Sequence, residues 1–392
     1  MNTATPTSSR VAMLLLWLLT VTVIYYGSLY PFELRPLEAP EHAITYLLGT
    51  TGEWDRAGDL VSNILLYLPC GLFGMLALKG RVPTGISILL AALTGTLISA
   101  SVEFLQCYAE YRNPTFGDIY ANAIGSAVGA GAGVFAQQHY RPAWLQPLLA
   151  HPRALLLLIL WLGARLYPYV PTIDLHKYWS ALKPLFISPS LPPLELFRYS
   201  VAWLFVAALI HSCYGSQRWK FAFPLFAAAF FGAKVLITDL IVKPADLLGC
   251  LLALLLWLLF FAATRPRYLL LALPYLAAML LVMLAPFSFS DLAWRDYGWV
   301  PFKSLMHGSI AVNVQSFCEK TALYGGMIWL LARGGLSFVL ATLLTTIVVF
   351  AASYAQIYLA GRSAEITDVV ICVLIGIVFA ILPKPARTSR HE

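Results

Sequence analysis

Apolar runs long enough to cross a bilayer follow one another along nearly all of this 392-residue chain. A spanning helix needs roughly 20 mostly apolar residues, since each residue rises ~1.5 Å and the hydrocarbon layer is ~30 Å thick. Twelve segments meet that requirement, at about 11–30, 60–78, 84–107, 117–135, 153–170, 194–213, 221–241, 245–263, 267–286, 316–332, 336–358 and 366–382. With 60% hydrophobic and 11% charged residues, the composition excludes an ordinary soluble domain. The expected fold class is an all-α integral membrane protein of about twelve transmembrane helices. Arg10 before the first run resembles the start of a signal peptide, but the run is too long, and it is read as a retained helix.

The runs fall into three similar stretches of four, about 11–135, 154–262 and 268–382. Each opens with a long apolar run that ends in a proline–aromatic corner: Tyr30-Pro31-Phe32, Tyr167-Pro168-Tyr169 and Pro286-Phe287. Each continues through a polar loop and closes on a basic-then-acidic turn: Arg112 to Asp118, Lys243 to Asp246 and Arg362 to Asp368. The expected domains are therefore four-helix units at 1–140, 151–263 and 266–384. Four spans per unit is an even number, so all three enter the membrane in the same sense. The loops hold short apolar patches at Ala43 to Leu48, Tyr178 to Ile187 and Trp299 to Leu305, too short to span. Tyr178, Trp179, Trp294, Tyr297 and Trp299 suit the headgroup region, so the patches read as an interfacial belt or as a lid over an outward cleft.

Charge sets the expected orientation. Lys79, Arg81, Arg141, Arg153, Arg218, Lys220, Arg265, Arg267 and Arg333 lie in short loops on the side of the termini, with Arg10, Lys384, Arg387 and Arg390. Glu392 is the one acid there. Basic short loops mark the cytoplasmic face, so both termini are expected in the cytoplasm. The net charge of +7 is then an orientation signal, and no loop is long enough to grip a nucleic acid. The six cysteines contain no CxxC pair and read as buried thiols, without a Cys107–Cys318 disulfide.

Ionisable residues inside spans are costly and mark function by default. They are densest in the first stretch. Asp59 and Asn63 are four apart, as are Asp118 and Asn122, while Glu103 and Gln106 are three apart, so each pair shares a helix face. Three such pairs on neighbouring helices can converge on one outward cavity. With Arg112, Lys243 and Arg362 aligned, Glu103 falls opposite Lys234 and Ser353, and Gln106 opposite Ile237 and Gln356. Asn122 falls opposite Cys372, and Asn63 roughly opposite Arg198 and Lys320. The recurring basic–acidic turn reads as a structural clasp, and the residues peculiar to the first stretch as the site. Gly125, Gly129 and Gly133, spaced by four, line a face for close helix packing. No cofactor and no metal are expected: His42 and His139 both lie away from Asp59, Glu103 and Asp118.

The pattern Asp59-x3-Asn63 with Pro69 and Gly71 in the same helix, then Ser101-x-Glu103-x2-Gln106, Arg112 and Asp118-x3-Asn122-x2-Gly125, resembles the VanZ family. The third stretch resembles a degenerate unit of the same kind, keeping Gln356, Arg362 and Asp368. The resemblance implies a small bundle of membrane helices with an envelope role in a bacterial cytoplasmic membrane. The family takes its name from a protein associated with teicoplanin resistance. Three readings stay open. In the first, the protein binds or acts on an envelope component at the outer leaflet: a lipid-linked cell-wall or exopolysaccharide intermediate, or a lipoglycopeptide. Glu103 is then the acid/base or orienting group, Arg112 holds a phosphate or carboxylate, and Asp59, Asn63, Gln106, Asp118 and Asn122 complete the site. In the second, the chain is a transporter or flippase. In the third it is a scaffold whose Glu103 pairs with a nearby cation. No phosphate loop, nucleophile elbow or zinc motif occurs, so enzymatic activity is left open.

Overall fold

The structure is a computed structural model and describes residues 6–30, 32–33, 40–51, 57–109, 112–135, 144–187, 189–261, 267–306 and 310–382. Pro31, His139, Arg141, Arg265, Lys384, Arg387, Arg390 and Glu392 lie outside the described residues, as does the side chain of Asp59. The chain forms two compact units, residues 1–141 and 142–392. Among the described residues every regular element is helical, and extended pairing is limited to isolated bridges.

The first unit holds α1 (Pro6–Leu29), α2 (Pro40–Gly49), α3 (Ala57–Leu78), α4 (Thr84–Gln106) and α5 (Phe116–Phe135). The second holds α6 (Gln146–Leu149), α7 (Pro152–Arg165), α8 (Leu175–Phe186), α9 (Pro193–Leu236), α10 (Pro244–Leu256), α11 (Tyr268–Leu284), α12 (Lys303–Met306), α13 (Ile310–Arg333), α14 (Phe338–Ala355) and α15 (Thr367–Ile381). Residues 151–263 and 266–384 thus share one unit. Their aromatic residues merge in one core, where Trp203, Phe205, Trp219, Tyr275, Trp329 and Phe379 are all buried.

Among the described residues, four helices are long and apolar enough to cross a membrane: Arg10–Leu29, Thr84–Gln106, Pro193–Leu236 and Phe338–Tyr358. Four more are apolar but shorter: Asn63–Leu78, Pro244–Leu259, Tyr268–Leu284 and Thr367–Ile381. At 44 residues, α9 as one rod would reach ~66 Å, about twice the hydrocarbon layer. Gly215, with φ 72° and ψ 177°, breaks it into arms at 193–214 and 216–236. That backbone conformation is open to glycine at no steric cost. Large apolar side chains face outward as well as into the core, while several polar side chains are buried. Leu65 and Leu97 are 60% and 69% exposed, while Ser99, Glu103, Asn122 and Ser126 are buried. Apolar surface turned outward suits lipid, and the protein is a helical membrane protein.

The apolar patches of the loops become α2, α8 and the turn into α12. Asp174 caps α8 by accepting from the His176 amide at 2.9 Å. The ten residues of α2 and twelve of α8 are too few to span. At the proline–aromatic corners, the amides of Phe32, Tyr169 and Phe287 donate to Leu29, Leu166 and Leu284 at 2.8, 3.0 and 2.9 Å. The three aromatic residues have φ of 66°, 62° and 64°. A side chain in the left-handed region costs ~1–2 kcal/mol, so surrounding contacts must hold each corner.

Packing in the first unit rests on absent side chains. A Cβ on Gly125 would overlap the backbone of Ile64, one on Gly129 that of Leu68, and one on Gly71 that of Ser126. Helices α3 and α5 therefore meet backbone to backbone, with dispersion and close approach replacing the hydrophobic drive that lipid cannot supply. Gly131 on the same helix has nothing within 4 Å of its Cβ position. Gly129→Leu is expected to cost about 3 kcal/mol or more, at the upper end for overpacking. Gly131→Leu should stay within about 0.5 kcal/mol. Thermal unfolding of both variants in detergent checks the pair, and equal melting temperatures would contradict the close α3–α5 contact.

Candidate functional site

The polar residues of the first unit meet where α3, α4 and α5 converge at the start of α5. A helix start leaves its first amides without intrahelical partners, and here side chains take them up. The Thr115 amide donates to Glu103 Oε2 at 3.3 Å, the Phe116 amide to Thr50 Oγ1 at 3.0 Å and the Asp118 amide to Thr115 Oγ1 at 3.2 Å. Thr115 is thus the N-cap, and the Asp118 carboxylate in the first turn is favoured by the helix dipole. Asn63 Nδ2 on α3 donates to Asp118 Oδ1. Thr50 follows α2, so the same cluster ties that short helix over the α4–α5 turn. Ala43 and Leu47 of α2 pack there against Cys107, Phe104 and Phe116.

One helical turn deeper lies a second polar layer. Ser99 is four residues before Glu103, Tyr67 four after Asn63, and Asn122 four after Asp118. Asn122 Nδ2 donates to Ser99 Oγ at 2.9 Å. Its Oδ1 is buried and has no hydrogen-bond partner among the described residues. A buried acceptor left open costs roughly 1–3 kcal/mol, which a water or a ligand donor would recover. Glu103, 3% exposed, lies within electrostatic reach of Tyr67, Cys107 and Arg112.

Glu103, Asn63, Asp118 and Asn122 are therefore brought together, in a closed cluster and not around an open cleft. Gln106 and Arg112 point elsewhere. Gln106 Nε2 donates to the Ser28 carbonyl at 2.8 Å, and Arg112 Nη2 to the carbonyls of Gly27 and Tyr30, both at 3.0 Å. These two side chains cap the end of α1. Burial pulls the Arg112 guanidinium below its ordinary value and the Glu103 carboxylate opposes that; arginine's basicity keeps it charged. Arg112 and Asp118 thus do not clasp each other: one holds α1 and the other α3. Ser99, Tyr67, Thr50 and Thr115 were not singled out from sequence. For the first two, the signal was present as positions one turn from Glu103 and Asn63.

In the second unit the closing acids are paired. Asp246, wholly buried, accepts from Arg165 Nη2 at 2.9 Å and Lys234 Nζ at 2.6 Å through Oδ2. Its Oδ1 accepts from Trp203 Nε1 at 2.9 Å. Asp368 pairs with Lys320 at 2.6 Å. Lys243, the basic residue of the second turn, pairs instead with Glu195 at 3.3 Å. Among the described residues, no three His, Cys, Asp or Glu side chains come together to hold a metal. All six cysteines are free. Removing one partner from a buried ion network leaves the others uncompensated. Asp246→Asn is expected to cost about 3–5 kcal/mol, and adding Lys234→Met should recover part of it. Thermal unfolding of the single and double variants checks this; a double variant no better than the single would count against the network.

Helices that turn leucine to the outside and hydrogen-bonded polar groups inward define a polytopic helical membrane protein. Within it, residues 11–137 match the family model described as VanZ/LLP1, so this segment is similar to that family. No curated protein and no solved structure matches the chain.

Proposed function

We propose that this is a polytopic protein of a bacterial cytoplasmic membrane, with both termini in the cytoplasm and three VanZ-like four-helix stretches at 1–140, 151–263 and 266–384. Its first stretch binds or acts on an envelope component at the outer leaflet: a lipid-linked wall or exopolysaccharide intermediate, or a lipoglycopeptide. The triplication is supported by recurrent local geometry. Gln106 and Gln356 each donate to the carbonyl three residues before a corner proline, Ser28 and Met283. Arg112 and Arg362 each donate to the carbonyl one residue before it, Tyr30 and Ala285. The bridges Pro171–Ile237 and Phe289–Leu359 both start three residues after a corner proline. Aligned on them, Lys234 falls opposite Gln106 and Gln356, three residues from the register given by the basic turn residues.

One observation carries the functional reading. At the position of Glu103 the third stretch has Ser353, whose Oγ donates to the Glu365 carbonyl at 2.8 Å. Residue 365 stands in the alignment where Thr115 does. A neutral serine therefore suffices to tie this part of the turn to the preceding helix. A buried carboxylate in a membrane is costly, so its presence in the first stretch calls for a second role. Glu103 lies one turn from Ser99, which holds Asn122; with the Asn122 Oδ1, which lacks a donor among the described residues, it would offer a ligand one charged and one neutral acceptor. Asn63 and Asp118 orient the surrounding turn, while Gln106 and Arg112 position α1. The Asp59 side chain is proposed as a further polar contact from α3.

The test substitutes the third stretch's own residue. Glu103→Ser is expected to keep yield and melting temperature, yet to weaken binding of a lipid-linked wall precursor in proteoliposomes by at least about tenfold, the scale of one charge-assisted hydrogen bond. Glycopeptide susceptibility of cells carrying the variant should rise in parallel. Wild-type binding by Glu103→Ser would remove the carboxylate from the site.

A transport reading draws on a separate observation in the second unit. Cavities of about 260 and 240 Å³ lie on α7, α9 and α13, the first lined by Ala164, Phe205 and Leu323, the second by Ala154, Ser212 and Trp329. The Phe205 and Trp329 rings that face them are 6.0 Å apart. Under this reading, Phe205→Ala should speed lipid movement across proteoliposomes, measured with a fluorescent lipid phosphate. An unchanged rate would favour the binding reading.

A further inference from the structure

Four alanines hold open a space in the second unit. Ala164 on α7, Ala202 on α9, Ala278 on α11 and Ala322 on α13 all line the cavity of about 260 Å³. Its remaining lining is divided by chemistry. One part is hydrocarbon and ring: Val201, Phe205, Val282 and Leu323, with Tyr275, whose hydroxyl is spent on the Ala322 and Leu323 carbonyls at 3.3 and 3.2 Å. No side-chain donor in that part is left to ask for a polar partner. The other part carries Arg165, Arg198, Lys243, Glu195 and Glu319.

These five charges are not equivalent. Arg165 is fixed by Asp246 and by the faces of Tyr199 and Trp161, 4.7 and 5.6 Å from its guanidinium carbon. Only Nη2 is engaged by Asp246. Lys243 and Glu195 neutralise each other across 3.3 Å, both side chains being well exposed. Arg198 on α9 and Glu319 on α13 have no ion pair and no hydrogen bond among the described residues, with each other or with anything else. Two opposite charges stand on one rim, both unspent, above an apolar floor.

We propose that this cavity binds an amphiphile whose head carries both a phosphate and a primary amine. The phosphate sits at Arg198 and the open donors of Arg165, where planar guanidinium groups favour bidentate contact. The ammonium sits at Glu319. The tail begins among Ala202, Phe205, Ala278 and Val282 and continues outward between helices. A volume just below the ~300–1,000 Å³ of small-molecule pockets admits a head and the first carbons of a chain, and leaves no room for an oligosaccharide. This site does not involve Glu103, so its success or failure is independent of the reading given for the first unit.

The experiment is a titration of the purified full chain in maltoside detergent, followed by native mass spectrometry. The probes are lysophosphatidylethanolamine, lysophosphatidylglycerol and glycerophosphoethanolamine. The first, with phosphate, amine and tail, should bind at least about tenfold tighter than the second, which lacks the amine. The third, a head without a tail, should not bind measurably. Glu319→Gln should erase the preference for the amine, and Arg198→Gln should weaken both lysolipids. Ala202→Phe, which fills the cavity from a partly exposed position, should abolish both. Equal affinity for the two lysolipids, an unaltered preference in Glu319→Gln, retained binding in Ala202→Phe, or binding of the tailless head would each overturn the assignment.

Discussion

A helix that ends within or at the edge of a bilayer leaves carbonyl oxygens that water cannot reach, and every such group must find a donor within the protein. Long side chains from distant parts of the sequence meet this demand throughout the molecule. The end of α1 is served by Gln106 and Arg112. The end of α11 is served by Gln356 and Arg362. Arg153 reaches the Phe379 and Leu382 carbonyls at the end of α15, Lys177 the Lys234 and Val235 carbonyls of α9, and Gln315 the Ala164 carbonyl of α7. Each contact joins one helix end to another element, so satisfying the backbone also sets how the helices stand together.

This requirement changes the meaning of several charged residues. Arg153 belongs to the basic set that orients the chain, yet it is buried and bonded to α15. Arg112 was a natural ligand for a phosphate, yet its Nη2 already holds two carbonyls. The acids at the start of the last helices reach back to the second helix of their stretch, Asp118 to Asn63, Asp246 to Trp203 and Asp368 to Lys320. In the first and third stretches the basic and acidic members of one turn thus secure different helices, α1 and α3 in the first and α11 and α13 in the third. With backbone contact at Gly125 and Gly129, the Asn63–Asp118 tie holds α3 against α5 in the first unit.

Much of the candidate site was legible because helical spacing converts directly into a shared face. Asn63, Glu103, Asp118 and Asn122 could be grouped from their positions, and the glycine ladder predicted close packing that the α3–α5 contact shows. Tyr67 and Ser99 obey the same spacing, but a tyrosine and a serine in an apolar run look like ordinary core. The partners of Gln106 and Arg112 were not legible, since they are backbone carbonyls some eighty residues away and carry no side-chain signature. The cavity of the second unit was equally hidden, because alanines are conspicuous only when four of them face one another.

By itself the sequence determined that the chain is a helical membrane protein, where its apolar segments lie, and that residues 11–135 resemble the VanZ family. Those properties follow from residue-by-residue transfer between water and lipid and from local periodicity. Tertiary structure decided which polar groups are spent on helix ends and which remain available, and where a cavity stays open. Both depend on which helix ends approach which side chains, a matter of packing between segments that no local pattern contains.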